Sequence, residues 1–154
     1  MTITVERIAG SLGAVVHGLD VRSLSEGDHE QLRAALAEHL VAFLPDQALT
    51  LDDLEAFTDT LGGRDITPYV KPVEGRPYVI RVIKERDDEL NFANAWHSDL
   101  SYLPQPPSFT VLHAWEVPAF GGDTMWANQY LAYETLPADL REQLLGLRAV
   151  HSAG

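Results

Sequence analysis

The chain has 154 residues, 45% hydrophobic and 22% charged, which is enough apolar content for one globular core, so one domain or part of one is expected. Its 23 acidic residues outweigh 11 basic ones for a formal charge of −12, and Lys and Arg are scattered, which argues against nucleic acid or an anionic membrane as partner. The absence of cysteine excludes disulfides, zinc fingers and iron–sulfur clusters, leaving His, Asp and Glu to hold any metal.

The opening "MTITVERIAGSLGAVVHGLD" lacks the basic and apolar regions of a signal peptide, and no apolar run is long enough to span a bilayer, so a cytoplasmic location is expected. Short apolar runs broken by glycine in "ITVERIAGSLGAVVHGLD" predict two strands joined by a tight turn. In "SLSEGDHEQLRAALAEHLVAFL" a serine-rich capping segment precedes Leu32, Leu36 and Leu40 at helical spacing, which predicts an amphipathic helix. Val41 to Leu44 form a brief β run ending at Pro45. "TLDDLEAFTDTLGG" follows, with Thr50 as N-cap and a glycine pair at the end, and predicts a second helix.

Residues 77–85 alternate, with Val79, Arg81 and Ile83 on one face and Ile80, Val82 and Lys84 on the other, which predicts a strand. Residues 86–95 are polar and lead as a loop into His97. The apolar run "SFTVLHAWEV", residues 108–117, predicts the best strand of the chain, and "GGDTMWA" a shorter one after a glycine turn. Residues 128–147 predict two helices separated at Pro137, and "RAVHSAG" the start of another strand.

The chemistry centres on "NAWHSDLSYLPQPPSF", residues 94–109. On extended backbone, residues i and i+2 project to one face, so His97 and Asp99 can reach one ion while Ser98 points away. With a second histidine from elsewhere they would form a 2-His-1-carboxylate triad, which leaves three positions of an octahedral Fe(II) open. A surface pair at a loop end is the plainer alternative for His-x-Asp alone.

Longer motifs bear on that choice. "WHSDLSY", "FTVLHAWEVP" and "GGDTMWANQYLAYETLP" closely resemble the taurine dioxygenase (TauD/TfdA-like) family of Fe(II)- and 2-oxoglutarate-dependent oxygenases. "GAVVHGLDV", "LSEGDHEQLRAALAEHLVAFLPDQALT" and "FTDTLGG" resemble its opening strands, first helix and "FLxDQ" strand. The resemblance implies an α+β fold: part of a double-stranded β-helix, or jelly-roll, with flanking N-terminal helices and the C-terminal half absent. Residues 1–154 would be the N-terminal portion of a single domain. It implies His97 and Asp99 as iron ligands and Thr124 as a hydrogen-bond donor to a carboxylate of 2-oxoglutarate, with an ordinary strand threonine as the alternative for Thr124. Trp96, Asp123 and Trp126 match the same motifs and are expected to shape the site. The implied reaction uses O2, releases succinate and CO2, and hydroxylates an unactivated C–H bond of a small organic, anionic substrate. The metal carries the difficult chemistry, and no general base is required.

The sequence also departs from the family pattern. The distal iron-binding histidine and the arginine that pairs with the far carboxylate of 2-oxoglutarate belong to a C-terminal half that this chain lacks, and a jelly-roll needs eight strands. His113, sharing a face with Phe109, Val111 and Trp115, is expected to be a hydrogen-bonded core residue. His17, His29, His39 and His151 are expected to be solvent-exposed, packed or terminal rather than ligands. Where taurine-specific members carry a histidine before the proline of an "IxPxx" segment, this chain has Thr67. Val70 replaces the tyrosine three residues later, with Tyr69 beside it, and Ala93 replaces an asparagine, with Asn91 and Asn94 nearby. Taurine itself is therefore disfavoured, and Thr67, Tyr69 and Asn94 are candidate substrate contacts.

Two other function classes stay open: a non-catalytic fragment or relic acting as a binding protein, and a His/Asp zinc hydrolase, which would need a further ligand and a metal-bound water. Open sheet edges and an uncovered apolar face would make the isolated chain associate, a homo-oligomer being one outcome.

Overall fold

The computed structural model describes residues 3–89 and 92–152. These divide into two compact units, one built from residues up to Leu49 with Ala114–Arg148, the other from Thr50–His113 with the residues from Ala149 onward. Helices and strands are mixed, in the α+β manner expected.

The first unit opens with β1 (Thr4–Arg7), β2 (Ala14–His17), α1 (Glu26–His39) and β3 (Ala42–Phe43). β1 pairs antiparallel with β2, Thr4 facing His17 and Arg7 facing Ala14, while β3 pairs parallel with β2, Ala14 facing Ala42. The parallel step requires a crossover, which α1 supplies. The alternation expected of a half-buried strand is plain in β2, where Ala14 and Val16 are buried and His17 is exposed. Leu32 and Ala35 of α1 are buried, and Leu36 and Leu40 are partly covered. Val16 and Leu32 are each only 1% exposed; burying a side chain of that size fully contributes about 1.5–3 kcal/mol.

Helix ends in this chain are specified locally. Ser25 caps α1 by accepting from the Asp28 N–H, and the Asp28 carboxylate accepts from the Ser25 N–H and hydroxyl, a reciprocal capping box that satisfies two otherwise orphan donors. The helix stops at Leu40, which takes a left-handed conformation (φ 66°) and returns its N–H to the Leu36 carbonyl. The neighbouring turn joins α1 to the sheet, Gly13 N–H donating to His39 O (2.8 Å) and Ala14 N–H to Val41 O (3.0 Å).

Gln47, the last residue of "FLPDQ", is a clamp. Its Oε1 accepts from Val21 N–H (3.1 Å), and its Nε2 donates to Leu19 O (2.9 Å) and Pro45 O (2.8 Å). One amide thus fastens the segment after β2 to the segment after β3. The same unit later contains α3 (Gln129–Glu134), capped by Asn128, and α4 (Ala138–Leu144), entered at Pro137, so the expected helix–break–helix is present.

The second unit contains α2 (Leu51–Leu61), β4 (Pro72–Val73) and β5 (Arg76–Ile80). Thr50 forms a second capping box, with Asp53, and α2 ends at Gly62, so the Thr50 cap and glycine stop read from sequence both hold. One face of α2 carries Asp52, Glu55 and Asp59. Arg76 pairs with Asp52 and with the buried Glu55 (2.6 Å), while Arg64 pairs with Asp59 (2.8 Å) and Glu55 (3.3 Å) and lies over the Tyr78 ring, 5.2 Å from its centroid. These partners hold the Arg64 and Arg76 guanidinium groups further toward the charged state than usual, chiefly through Asp59 and Asp52 respectively.

Several expected strands do not form. The strand expected over 77–85 is β5 and ends at Ile80, because β4 is two residues long and its ladder begins at the Pro72–Ile80 pair. Residues 108–117 and 121–127 join neither sheet, and the described residues 148–152 form no strand. Alternation survives in the first of these, with Val111 and His113 partly buried and Leu112 and Ala114 exposed. An apolar alternating run fixes which side chains share a face, but a strand also needs a neighbour for its N–H and C=O groups. Two results correct the expected core face around His113: Trp115 is 75% exposed, and His113 itself is only partly covered.

Candidate metal centre

His97 lies in irregular backbone and Asp99 in a turn, between two residues of left-handed conformation, Ala93 (φ 52°) and Leu100 (φ 48°). Residues 94–99, between them, form no helix or strand; this stretch is the arm. His97 Nε2 and Asp99 Oδ1 stand 3.1 Å apart. Both side chains are about half exposed, at 51% and 49%.

Second partners fix both groups. The Nδ1–H of His97 donates to the Ala95 carbonyl (2.8 Å); a carbonyl only accepts, so this contact assigns the proton to Nδ1 and turns Nε2 toward Asp99. On Asp99, Oδ2 accepts the Thr110 hydroxyl (2.7 Å), which leaves Oδ1 facing the imidazole. A lone pair on Nε2 and a carboxylate oxygen at this distance repel unless a positive charge lies between them. A proton meets that need as an ion pair, and a metal ion meets it as a shared centre. Two donors each about 2.1 Å from one ion and at right angles stand about 3.0 Å apart, so the observed spacing fits neighbouring ligands of one metal.

Among the described residues, no group of three or more His, Cys, Asp or Glu side chains gathers as a metal site. The other histidines have their own settings. His17 faces Glu6 (3.3 Å), and His39, little exposed, lies 3.9 Å from Glu38. His29 is partly covered, with Nδ1 buried and unpartnered. His151, expected to dangle, is hydrogen-bonded through Nδ1 to Ser101 Oγ (2.9 Å).

The candidate substrate contacts are accounted for separately. Tyr69 is 86% exposed, in a left-handed turn (φ 69°), with its ring 6.4 Å from that of Tyr102. Thr67 is partly covered just before that turn, and Asn94 is exposed at the start of the arm. Asn91 lies outside the described residues. Thr124 belongs to the other compact unit, exposed and outside any helix or strand. It follows Gly121 and Gly122, whose φ values of 80° and 73° are the reason glycine stands there. Trp126, nearby in sequence, packs edge-on against Phe43 with centroids 5.7 Å apart, whereas Trp96 is 69% exposed. Thr110 and the Ala95 carbonyl are not marked in the sequence: a threonine in an apolar run carries no sign of a partner eleven residues away, and a backbone carbonyl carries none at all.

The model of the taurine catabolism dioxygenase TauD, TfdA family matches residues 4–154. The chain belongs to that family. Among TauD, TfdA-like relatives, an alpha-ketoglutarate-dependent sulfate ester dioxygenase of Pseudomonas putida is 36% identical over 155 aligned residues, covering 99% of this chain and 50% of the relative. An alkylsulfatase of Acinetobacter baylyi is 30% identical, over 97% of this chain and 47% of its own length. The crystal structure of a taurine dioxygenase from Burkholderia xenovorans superposes with a TM-score of 0.76 at 34% identity, covering 97% of this chain and 53% of that one. The chain thus spans about half the length of these TauD, TfdA relatives.

Proposed function

We propose that residues 1–154 are the N-terminal portion of a single Fe(II)- and 2-oxoglutarate-dependent dioxygenase domain of the jelly-roll class. The observation that carries this reading is the convergence of His97 Nε2 and Asp99 Oδ1 at 3.1 Å, each oriented by a second hydrogen bond. In this reading the two side chains supply adjacent ligands for Fe(II), and the Thr124 hydroxyl donates to a carboxylate of 2-oxoglutarate. When bound, the iron and 2-oxoglutarate supply the activation of O2, coupled to release of succinate and CO2. The protein's own part is positional. The Ala95 carbonyl keeps the imidazole proton on Nδ1, so that Nε2 presents a lone pair, and Thr110 keeps Asp99 Oδ1 turned to the same place. Neither His97 nor Asp99 needs to transfer a proton.

The substrate proposed is a small organic anion of the sulfate-ester or sulfonate kind named for relatives of this chain. Thr67, Tyr69 and Asn94 are its candidate contacts. Thr67 stands where taurine-specific members carry histidine, which supports a substrate other than taurine.

Anaerobic addition of Fe(II) and 2-oxoglutarate to the purified chain should give a visible metal-to-ligand charge-transfer band, and His97→Ala should remove it. A band of equal strength in His97→Ala would overturn the assignment. The second reading, a non-catalytic protein in which His97 and Asp99 form an ion pair, is favoured by their half exposure; it predicts no band from folded chain.

A further inference from the structure

We infer that Thr110 is a positioning residue that makes Asp99 a one-oxygen donor with a fixed direction; this rests on the reading of His97 and Asp99 as metal ligands. An aspartate carboxylate turns about its last torsion in a broad, roughly two-fold well, so its two oxygens are interchangeable unless something distinguishes them. On an arm outside any sheet, half exposed to solvent, packing does not distinguish them. Thr110 does. Its hydroxyl donates to Oδ2 at 2.7 Å, while Oδ1 faces His97 Nε2 at 3.1 Å.

The contact also bridges two stretches of chain. Asp99 is the last residue of the arm, and Thr110 lies beyond the proline-rich segment that contains Pro104, Pro106 and Pro107. β-branching limits the rotamers of Thr110, so its hydroxyl direction is set largely by its own backbone. Occupying Oδ2 opposes chelation of the ion by both carboxylate oxygens and conserves a coordination position for small molecules. His97 is treated in parallel by the Ala95 carbonyl, so each proposed donor has one dedicated orienting partner. The Ala95 partner is backbone and survives any substitution; the Thr110 partner is a side chain and can be removed.

The test is anaerobic calorimetric titration of the 154-residue chain with Fe(II) alone, comparing wild type with Thr110→Val, Thr110→Ser and His97→Ala. Loss of an outer partner of a ligand typically weakens metal binding roughly 10- to 100-fold, and that is the expected effect of Thr110→Val, with Thr110→Ser restoring affinity close to wild type. Thermal melts of the apo proteins provide the control: Thr110 is exposed, so Thr110→Val should melt with wild type, and Thr110→Ala takes its place if Val alters the far-ultraviolet circular dichroism. Wild-type affinity in the hydroxyl-free variant, with His97→Ala weakened, overturns the role of Thr110 alone. Unchanged affinity in His97→Ala, or no binding by wild type, removes the metal reading and this inference with it.

Discussion

The β2–α1–β3 region and the arm carrying His97 reach order by opposite means. In the first, position is set by packing: Ala14, Val16, Leu32 and Ala35 are buried together with a register fixed on both sides of β2. In the second, the functional side chains are half exposed, and single hydrogen bonds from Ala95 and Thr110 aim them. Packing tolerates no loss of volume but is indifferent to the identity of polar atoms. Hydrogen-bonded aim is the reverse. Stability and chemistry therefore depend on separate sets of residues, and substitutions should sort cleanly between them.

Leu32→Ala should have the largest effect on stability, about 2–5 kcal/mol for a buried leucine that leaves a cavity. Denaturant unfolding measures it, and His97→Ala in the same assay should stay within about 0.5 kcal/mol of wild type. An equal loss from both would end the separation between the two regions. Gln47→Ala removes an amide that makes three hydrogen bonds to backbone; with each worth about 0.5–1.5 kcal/mol net, a loss of about 1.5–4.5 kcal/mol is expected in the same experiment.

Ala93→Gly tests the arm by stabilisation. Ala93 holds a left-handed conformation at φ 52°, which costs an L-residue roughly 1–2 kcal/mol and glycine almost nothing. Glycine's freer unfolded chain offsets part of that, so a gain of up to about 1 kcal/mol is expected, with Fe(II) affinity unchanged.

The smallest effect is electrostatic. Hydrogen bonds from the Arg22 side chain and backbone lower the Asp20 carboxyl from 3.8 to about 2, and the Ser25 N–H and hydroxyl lower Asp28 in the same direction. A depressed carboxyl contributes stability that is fully present above its unfolded value and is lost as pH falls through its folded one. Asp20→Asn should therefore flatten the pH dependence of stability between pH 3.8 and about 2, with carboxyl carbon shifts followed by NMR as the direct check.

The elements legible in sequence are those whose determinants lie within a few residues. Ser25 and Thr50 start helices because each has an aspartate three residues on, and Pro137 divides α3 from α4. His97 and Asp99 stand out as candidates because the two lie within three residues, and their side chains do meet, at 3.1 Å. Residues 108–117 show the limit: the alternation at Val111 and His113 is real, but ladder pairing depends on a neighbour that the run itself does not specify. Phe120 at 91% exposure and Met125 at 72% show the same for hydrophobicity, which states a preference for burial without providing the surface. Gln47 and Thr110 escaped for a related reason, since a polar side chain does not announce a distant acceptor.

The contact between His97 Nδ1 and the Ala95 carbonyl spans two residues, as does the approach of His97 to Asp99. The donor pair and the bond that orients the imidazole are thus contained in the five residues from Ala95 to Asp99. A change of length in the loop before Ala95 leaves these sequence separations unchanged, and the Thr110 bond to Asp99 comes from the other side, later in the chain. Insertions before Ala95 are therefore free to remodel what surrounds the proposed ligand pair without dismantling it, so diversification of one and retention of the other can proceed independently.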